Sequence, residues 1–222
     1  MGNNTREELQ EARNEKNANY KDFENEGHGS EDKYFDKSAN AWWRSLSDEE
    51  RDSIETYTGS SYDRINEYLR KGKLGSHQDE EVEQLVKYAG SGLNQFKLDT
   101  NLKLYRQSGA SLFSELTHLP HLTAANVNEW VKAMKGYIGS VVTDKGFTST
   151  STRDNIWGGR VHMEIQAPKG TKGAYVRPFS QHMSEMEFLL NHGTKFKIVG
   201  CRVGKNQYGI PVPVVIMKIV KR

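Results

Sequence analysis

From residue 34 onward apolar side chains return at helical intervals. Phe35, Ala39, Trp42, Trp43 and Leu46 fall on one face of a 3.6-residue repeat. Ser47-Asp-Glu-Glu50 follows with the chemistry of a helix start, a hydroxyl acceptor ahead of acidic first-turn residues, and predicts a helix over 48–57. Ser60 or Ser61 is placed to cap a second helix, with Tyr62, Ile65, Tyr68 and Leu69 on one face and Gly72 and Gly75 past its end. Val82, Leu85 and Val86 predict a third over 80–88.

The period then changes. Residues 102–105 read as a strand and 126–134 as one more amphipathic helix. Short β-type runs follow at 146–150, 160–166, 173–176, 187–190, 195–203 and 212–220. Helices first and strands later predict an α+β fold rather than alternating βαβ units. Residues 1–33 offer only Leu9, Tyr20 and Phe23 as sizeable apolar groups, so they are expected to form a polar tail or linker outside a single domain spanning 34–222.

Charge and cysteine content narrow the classes. Thirty-one basic against 29 acidic residues leave a net charge of +2, which favours neither nucleic acid nor an anionic membrane surface as partner. Cys201 is the only cysteine, so no intramolecular disulfide forms. No apolar run reaches membrane-spanning length, and the opening residues show no signal peptide. The glycine patterns of Rossmann and P-loop nucleotide sites are both missing. Pro120 interrupts His118-Leu-Pro-His121, and no zinc or other metal is expected.

Three strings occur in a fixed order: Leu104-Tyr-Arg-Gln-Ser-Gly109, Gly146-Phe-Thr-Ser-Thr-Ser151 and Ser184-Glu-Met-Glu-Phe-Leu-Leu190. Each alone is common; their order and spacing are not. Together they resemble the R, S-T-S, E-x-E pattern of bacterial mono-ADP-ribosyltransferase toxins that modify arginine. Tyr57-Thr-Gly-Ser-Ser-Tyr62 with Ile65-Asn-Glu-Tyr-Leu-Arg70 resembles the amino-terminal helix motif of that family, and 189–198 resembles its iota-toxin-like, actin-modifying branch. The resemblance covers about residues 34–222 and implies two packed antiparallel sheets with flanking helices and a cleft between them.

The resemblance also implies roles. NAD would be the substrate and a host protein arginine the acceptor, with actin as the candidate target. Arg106, Arg70 and Arg160 would hold phosphates, with Arg153 competing for that role, because a guanidinium clasps phosphate oxygens bidentately at any working pH. Ser149 would brace the active-site carboxylate, and Thr150 and Ser151 would stabilise the surrounding strands. Trp157 would stack near nicotinamide. Tyr57, Tyr62, Asn66 and Gln107 would line the NAD site, although Tyr57 and Tyr62 read equally well as core residues. Breaking the N-glycosidic bond of NAD releases neutral nicotinamide and leaves a cationic sugar, which calls for a nearby carboxylate. Glu187 would take that place and Glu185 would serve the acceptor, the two pointing the same way by strand alternation.

Two departures from the actin-modifying pattern stand out. Gln107 replaces a second arginine after Arg106, and His182, with Phe179 as an alternative, stands where relatives carry a target-recognising aromatic. Other expectations are a secreted or host-delivered monomer and a delivery or translocation partner. An NAD glycohydrolase and a non-catalytic binding module are the alternatives.

Overall fold

A computed structural model describes residues 19–72, 75, 79–154 and 158–220. The helices are α1 (Ser30–Ser45), α2 (Asp48–Thr56), α3 (Tyr62–Lys71), α4 (Asp79–Gln95) and α5 (Val127–Lys135), with a π-helical turn, Tyr57–Ser61, between α2 and α3. The strands are β1 (Leu102–Ser108), β2 (Val141–Asp144), β3 (Thr148–Ser151), β4 (Val161–Ala167), β5 (Gly173–Tyr175), β6 (Glu187–Leu190), β7 (Thr194–Lys205) and β8 (Pro211–Ile219). Helices precede most strands, as the α+β reading requires. No helix among the described residues is long and apolar enough to cross a membrane.

All eight strands are hydrogen-bonded into one sheet in the order β2-β7-β8-β4-β1-β3-β6-β5. Every pairing is antiparallel except β4 with β8. The two sheets expected from the resemblance survive as two unequal halves. β1 runs beside β4 for its whole length but meets β3 only at Tyr105 and Ser151. That narrow seam puts the end of β1 beside the start of the second half, where Arg106 and Ser149 come together.

The helices form where the pattern placed them, for identifiable reasons. Ser47 and Glu50 make a reciprocal capping box at the start of α2. Gly72, at φ 87°, follows the last residue of α3 in a conformation that favours glycine. The expected Ser61 cap is not made, because the chain enters α3 from a π-turn already in helical backbone and the serine makes no side-chain cap bond. The third helix, expected to stop near residue 88, runs to Gln95. Gly90 and Gly92, inside the extension, permit close packing: a Cβ on Gly92 would sit 3.0 Å from Ile54 Cδ1, and Trp42 Nε1 donates to the Gly92 carbonyl at 2.8 Å.

The tail boundary expected at residue 33 is corrected. Phe23 is fully buried against Phe35, and Lys21 bridges to Leu102. Three carboxylates of the segment also accept hydrogen bonds from the body of the fold: Asp22 from Tyr105, Glu24 from the Asp154 amide and Glu31 from Arg153. Few apolar groups suffice because ion pairs and backbone bonds supply the rest.

Candidate active site

Two cavities meet at Arg106. One, of about 390 Å³, is lined by Tyr57, Tyr62, Asn66, Arg106, Gln107, Ser149, His182, Glu185 and Glu187, with Thr58 beside them. The other, of about 240 Å³, continues past Arg106 to Arg70, Ser108, Ser111, Glu115, Asp144 and Lys145. The R, S-T-S and E-x-E strings and the amino-terminal helix motif therefore all reach one cleft.

The S-T-S strand pairs antiparallel with β6, and the register sets Ser151 opposite Glu187. Ser149, two residues along β3, lies on the same face and diagonal to Glu187, within side-chain reach. Glu187 is 3% exposed. Burial pushes its pKa up to about 7, with the Glu185 charge adding to the rise; the Ser149 hydrogen bond and the Arg106 charge oppose it. A carboxyl that gains and loses its proton near neutrality, in a cleft beside arginines, has the character of a reaction centre.

Arg106 ends the buried run of β1, and its Nη1 donates to the Ser149 carbonyl. Burial draws the guanidinium pKa below its ordinary value, while the Asp144 carboxylate opposes that shift. Thr150 donates to the Phe188 carbonyl and so ties β3 to β6, whereas Ser151 Oγ accepts from the Arg153 amide at 3.0 Å and fixes the turn that leaves β3.

Helix α3 delivers Tyr62, Asn66 and Arg70 to the cleft at i, i+4 and i+8. Tyr57 is 1% exposed, so it is a core residue that also forms part of the cavity wall. Its hydroxyl donates to the Phe147 carbonyl and accepts from Asn66 Nδ2 at 3.0 Å. Burial pushes its pKa up to about 12, with the Ser149 hydrogen bond opposing. Asn66 in turn accepts from the Phe147 amide at 2.8 Å. Tyr62 is 46% exposed at the mouth.

Asp144 was not singled out from the sequence. It accepts from Arg70 at 3.1 and 3.2 Å, from Thr148 at 3.0 Å and from the Gly146 amide at 3.1 Å, fixing both the guanidinium and the turn before the S-T-S strand. The signal was its place two residues before Gly146, in a strand too short to show a period. A Cβ on Gly146 would come within 2.5 Å of Asn66 Oδ1, so the close approach of that turn to α3 requires glycine.

Four expectations change. Arg160 lies outside the cleft: it faces a separate cavity with Leu122, Val127 and Pro211, because Gly159 lies flat against the Ser108 backbone just before β4 begins. Arg153 is not a free phosphate ligand, since its guanidinium is spent on Glu31 and the carbonyls of Glu26 and Gly27. Phe179 stacks on Trp43 at 4.2 Å and is a packing residue, leaving His182 at the cavity mouth. Glu185 and Glu187 do line one cavity, but not by strand alternation: Glu185 ends a 3₁₀ turn, and Met186 follows at φ 44° before β6 begins. Gln107 lines the cavity while donating to Asp154 at 2.9 Å. Trp157 lies outside the described residues.

The family model described as ADP-ribosyltransferase exoenzyme matches residues 31–212. The chain belongs to that family. Among curated relatives, it is 25% identical over 157 residues to the NAD(+)--arginine ADP-ribosyltransferase EFV of Enterococcus faecalis, covering 71% of this chain and 30% of that protein. It is also 25% identical over 180 residues to the mono-ADP-ribosyltransferase C3 of a Clostridium botulinum C phage, covering 78% of this chain and 72% of the relative. The fold resembles that of BECa, an ADP-ribosylating toxin of a C. perfringens binary enterotoxin solved with NADH. The TM-score is 0.81 at 22% identity, over 90% of this chain and 50% of that one. The chain thus spans under a third of the Enterococcus relative and half of the solved toxin.

Proposed function

We propose that this chain is an NAD-dependent mono-ADP-ribosyltransferase that transfers ADP-ribose to a protein arginine. The observation carrying the proposal is that Arg106, Ser149, Glu185 and Glu187 line one cavity in which Glu187 is buried. The names of the Enterococcus and Clostridium relatives and the family match support the reaction class.

The chemistry follows from the groups present. The bond between the ribose carbon and the nicotinamide nitrogen breaks, its electron pair leaving with neutral nicotinamide, and the sugar becomes cationic. Ionised Glu187, fixed by Ser149, stabilises that cation. Arg106 and Arg70 bind the diphosphate along the second cavity, for which Arg70 exchanges part of its contact with Asp144. Glu185, nearer solvent, orients the acceptor guanidinium and takes the proton released as its nitrogen bonds the ribose carbon. Arg160 is assigned no phosphate role.

The partner is a host protein presenting an exposed arginine, and the chain acts after secretion or delivery into the host cell. Actin is the acceptor to test first. Incubation with labelled NAD, host-cell lysate and purified actin reads transfer and target together. Glu187→Gln abolishes transfer and NAD hydrolysis; Glu185→Gln abolishes transfer and retains much of the hydrolysis. Normal transfer by Glu187→Gln overturns the assignment. Hydrolysis without labelling of any protein or of a free guanidine makes the chain a glycohydrolase, and neither activity makes it a binding module.

A further inference from the structure

Glu31 and Asp32 are consecutive residues in the first turn of α1, and each holds an arginine from a different segment of the chain. Arg153, two residues beyond Ser151, donates to Glu31 at 2.8 and 2.7 Å. Burial alone would raise the Glu31 carboxyl, but the Arg153 bonds and charge hold it below its ordinary value. Arg177 begins the segment that leads to the E-x-E string. Its Nη1 donates to Asp32 Oδ2, and its Nε donates to the Met183 carbonyl at 2.5 Å. Tyr175 donates to the other Asp32 oxygen at 2.7 Å.

The two catalytic carboxylates are held by different means. Glu187 is the first residue of β6 and is fixed by its ladder with β3. Glu185 closes the 3₁₀ turn Met183–Glu185, and the four residues before it, Gln181 to Ser184, are all exposed, so little packing holds it. Its anchors include the Arg177 bond to Met183, two residues away, and the seat of the Gln181 amide against Gly59, where a Cβ would come within 3.0 Å. A planar guanidinium whose Nη1 is fixed by a carboxylate aims its Nε in one direction. Removing the carboxylate frees Arg177 and, with it, the Glu185 turn, while the Glu187 strand stays in place.

We infer that Asp32, acting through Arg177, is a positioning residue for the acceptor half of the reaction: it holds the turn that carries Glu185 and leaves the cleavage of NAD to a separately anchored Glu187. The inference rests on the proposed division of labour between Glu185 and Glu187. It makes the amino-terminal helix part of the catalytic apparatus rather than a linker.

The test compares nicotinamide release without acceptor against ADP-ribosyl transfer to agmatine, a free guanidine, for the wild type and for Asp32→Asn, Asp32→Glu and Arg177→Gln. Asn at 32 keeps an acceptor for Tyr175 but sets an amide N–H donor against Arg177, so both the charge and the Arg177 bond are lost. Asp32→Asn and Arg177→Gln lower transfer about tenfold or more, as expected for a misplaced catalytic group, while hydrolysis stays within about twofold. Asp32→Glu recovers part of the transfer, and the double variant Asp32→Asn with Arg177→Gln is no worse than either single one. Retained hydrolysis also shows that the variants fold. Equal loss of both activities, or no loss of transfer, overturns the inference while leaving the proposed function intact. A wild type that releases nicotinamide and never labels agmatine or protein overturns the proposed function first, and this inference with it.

Discussion

Ser149 stands diagonally across the β3–β6 ladder from Glu187, and its hydroxyl opposes the burial that drives the carboxyl pKa up to about 7. If ionised Glu187 stabilises the cationic sugar, kcat/KM for NAD rises with pH through about 7 in the free protein and then levels off. Ser149→Ala removes the opposing hydroxyl, so the rise moves to higher pH and the rate at neutral pH falls about tenfold or more. Initial rates of nicotinamide release across pH 5–9 check both outcomes, and an unmoved profile in Ser149→Ala means the serine does not brace the carboxylate.

The same burial makes Glu187 costly to the fold. Its pKa is about 7 folded against an ordinary 4.5, so between those values the unfolded chain releases a proton that the native protein keeps, and stability falls as pH rises. The loss is absent below about pH 4.5, grows to pH 7 and is complete above it; at about 1.4 kcal/mol per pH unit it amounts to roughly 3 kcal/mol. Glu187→Gln therefore raises the melting temperature at pH 8 and changes it little at pH 4.5. Equal melting temperatures at pH 8 contradict the buried, strained carboxylate.

Much of this site is legible in the amino-acid sequence. Arg106, Ser149, Glu185 and Glu187 sit in local strings, and the strand pattern around them is strong enough to order them along the chain. What the sequence hides depends on distant partners. Arg153 and Arg160 have the same chemistry, but the first is consumed by Glu31, 122 residues away in sequence, and the second lies on the far side of a glycine pressed onto β1. The Glu185 and Glu187 side chains share a cavity through a 3₁₀ turn and a left-handed Met186, a backbone path that period-two reasoning does not contain. The amino-terminal segment reads as a tail because composition counts apolar groups and overlooks carboxylates that find arginines.

The extension of α4 through two glycines gives a packing prediction. A Cβ at Gly92 meets Ile54 Cδ1 at 3.0 Å and Glu50 Cβ at 3.4 Å, between two helices that pack directly. Alanine has the better helix propensity, so an exposed site would gain up to about 1 kcal/mol. Here overpacking wins, and Gly92→Ala destabilises by about 1–3 kcal/mol in urea unfolding. A more stable Gly92→Ala protein would show that α2 and α4 yield without strain.

Arg70 and Arg160 separate the phosphate sites implied by the sequence from those that geometry supports. Arg70 lines the cavity that continues from Arg106 and is oriented there by Asp144, whereas Arg160 donates weakly to the Leu122 carbonyl at 3.4 Å beside a different cavity. Deleting a phosphate-binding guanidinium from the first cavity weakens NAD binding by the value of a charge-assisted hydrogen bond, about 1.5–3 kcal/mol, or roughly tenfold to a hundredfold in KM. Arg70→Ala shows that rise with a smaller change in kcat, and Asp144→Asn shows a milder rise because the guanidinium keeps its charge and loses its direction. Arg160→Ala leaves KM for NAD within about twofold. Titrating NAD against each variant and fitting KM and kcat separately decides the matter; a large KM effect at Arg160 with none at Arg70 would place the diphosphate on the other side of β1.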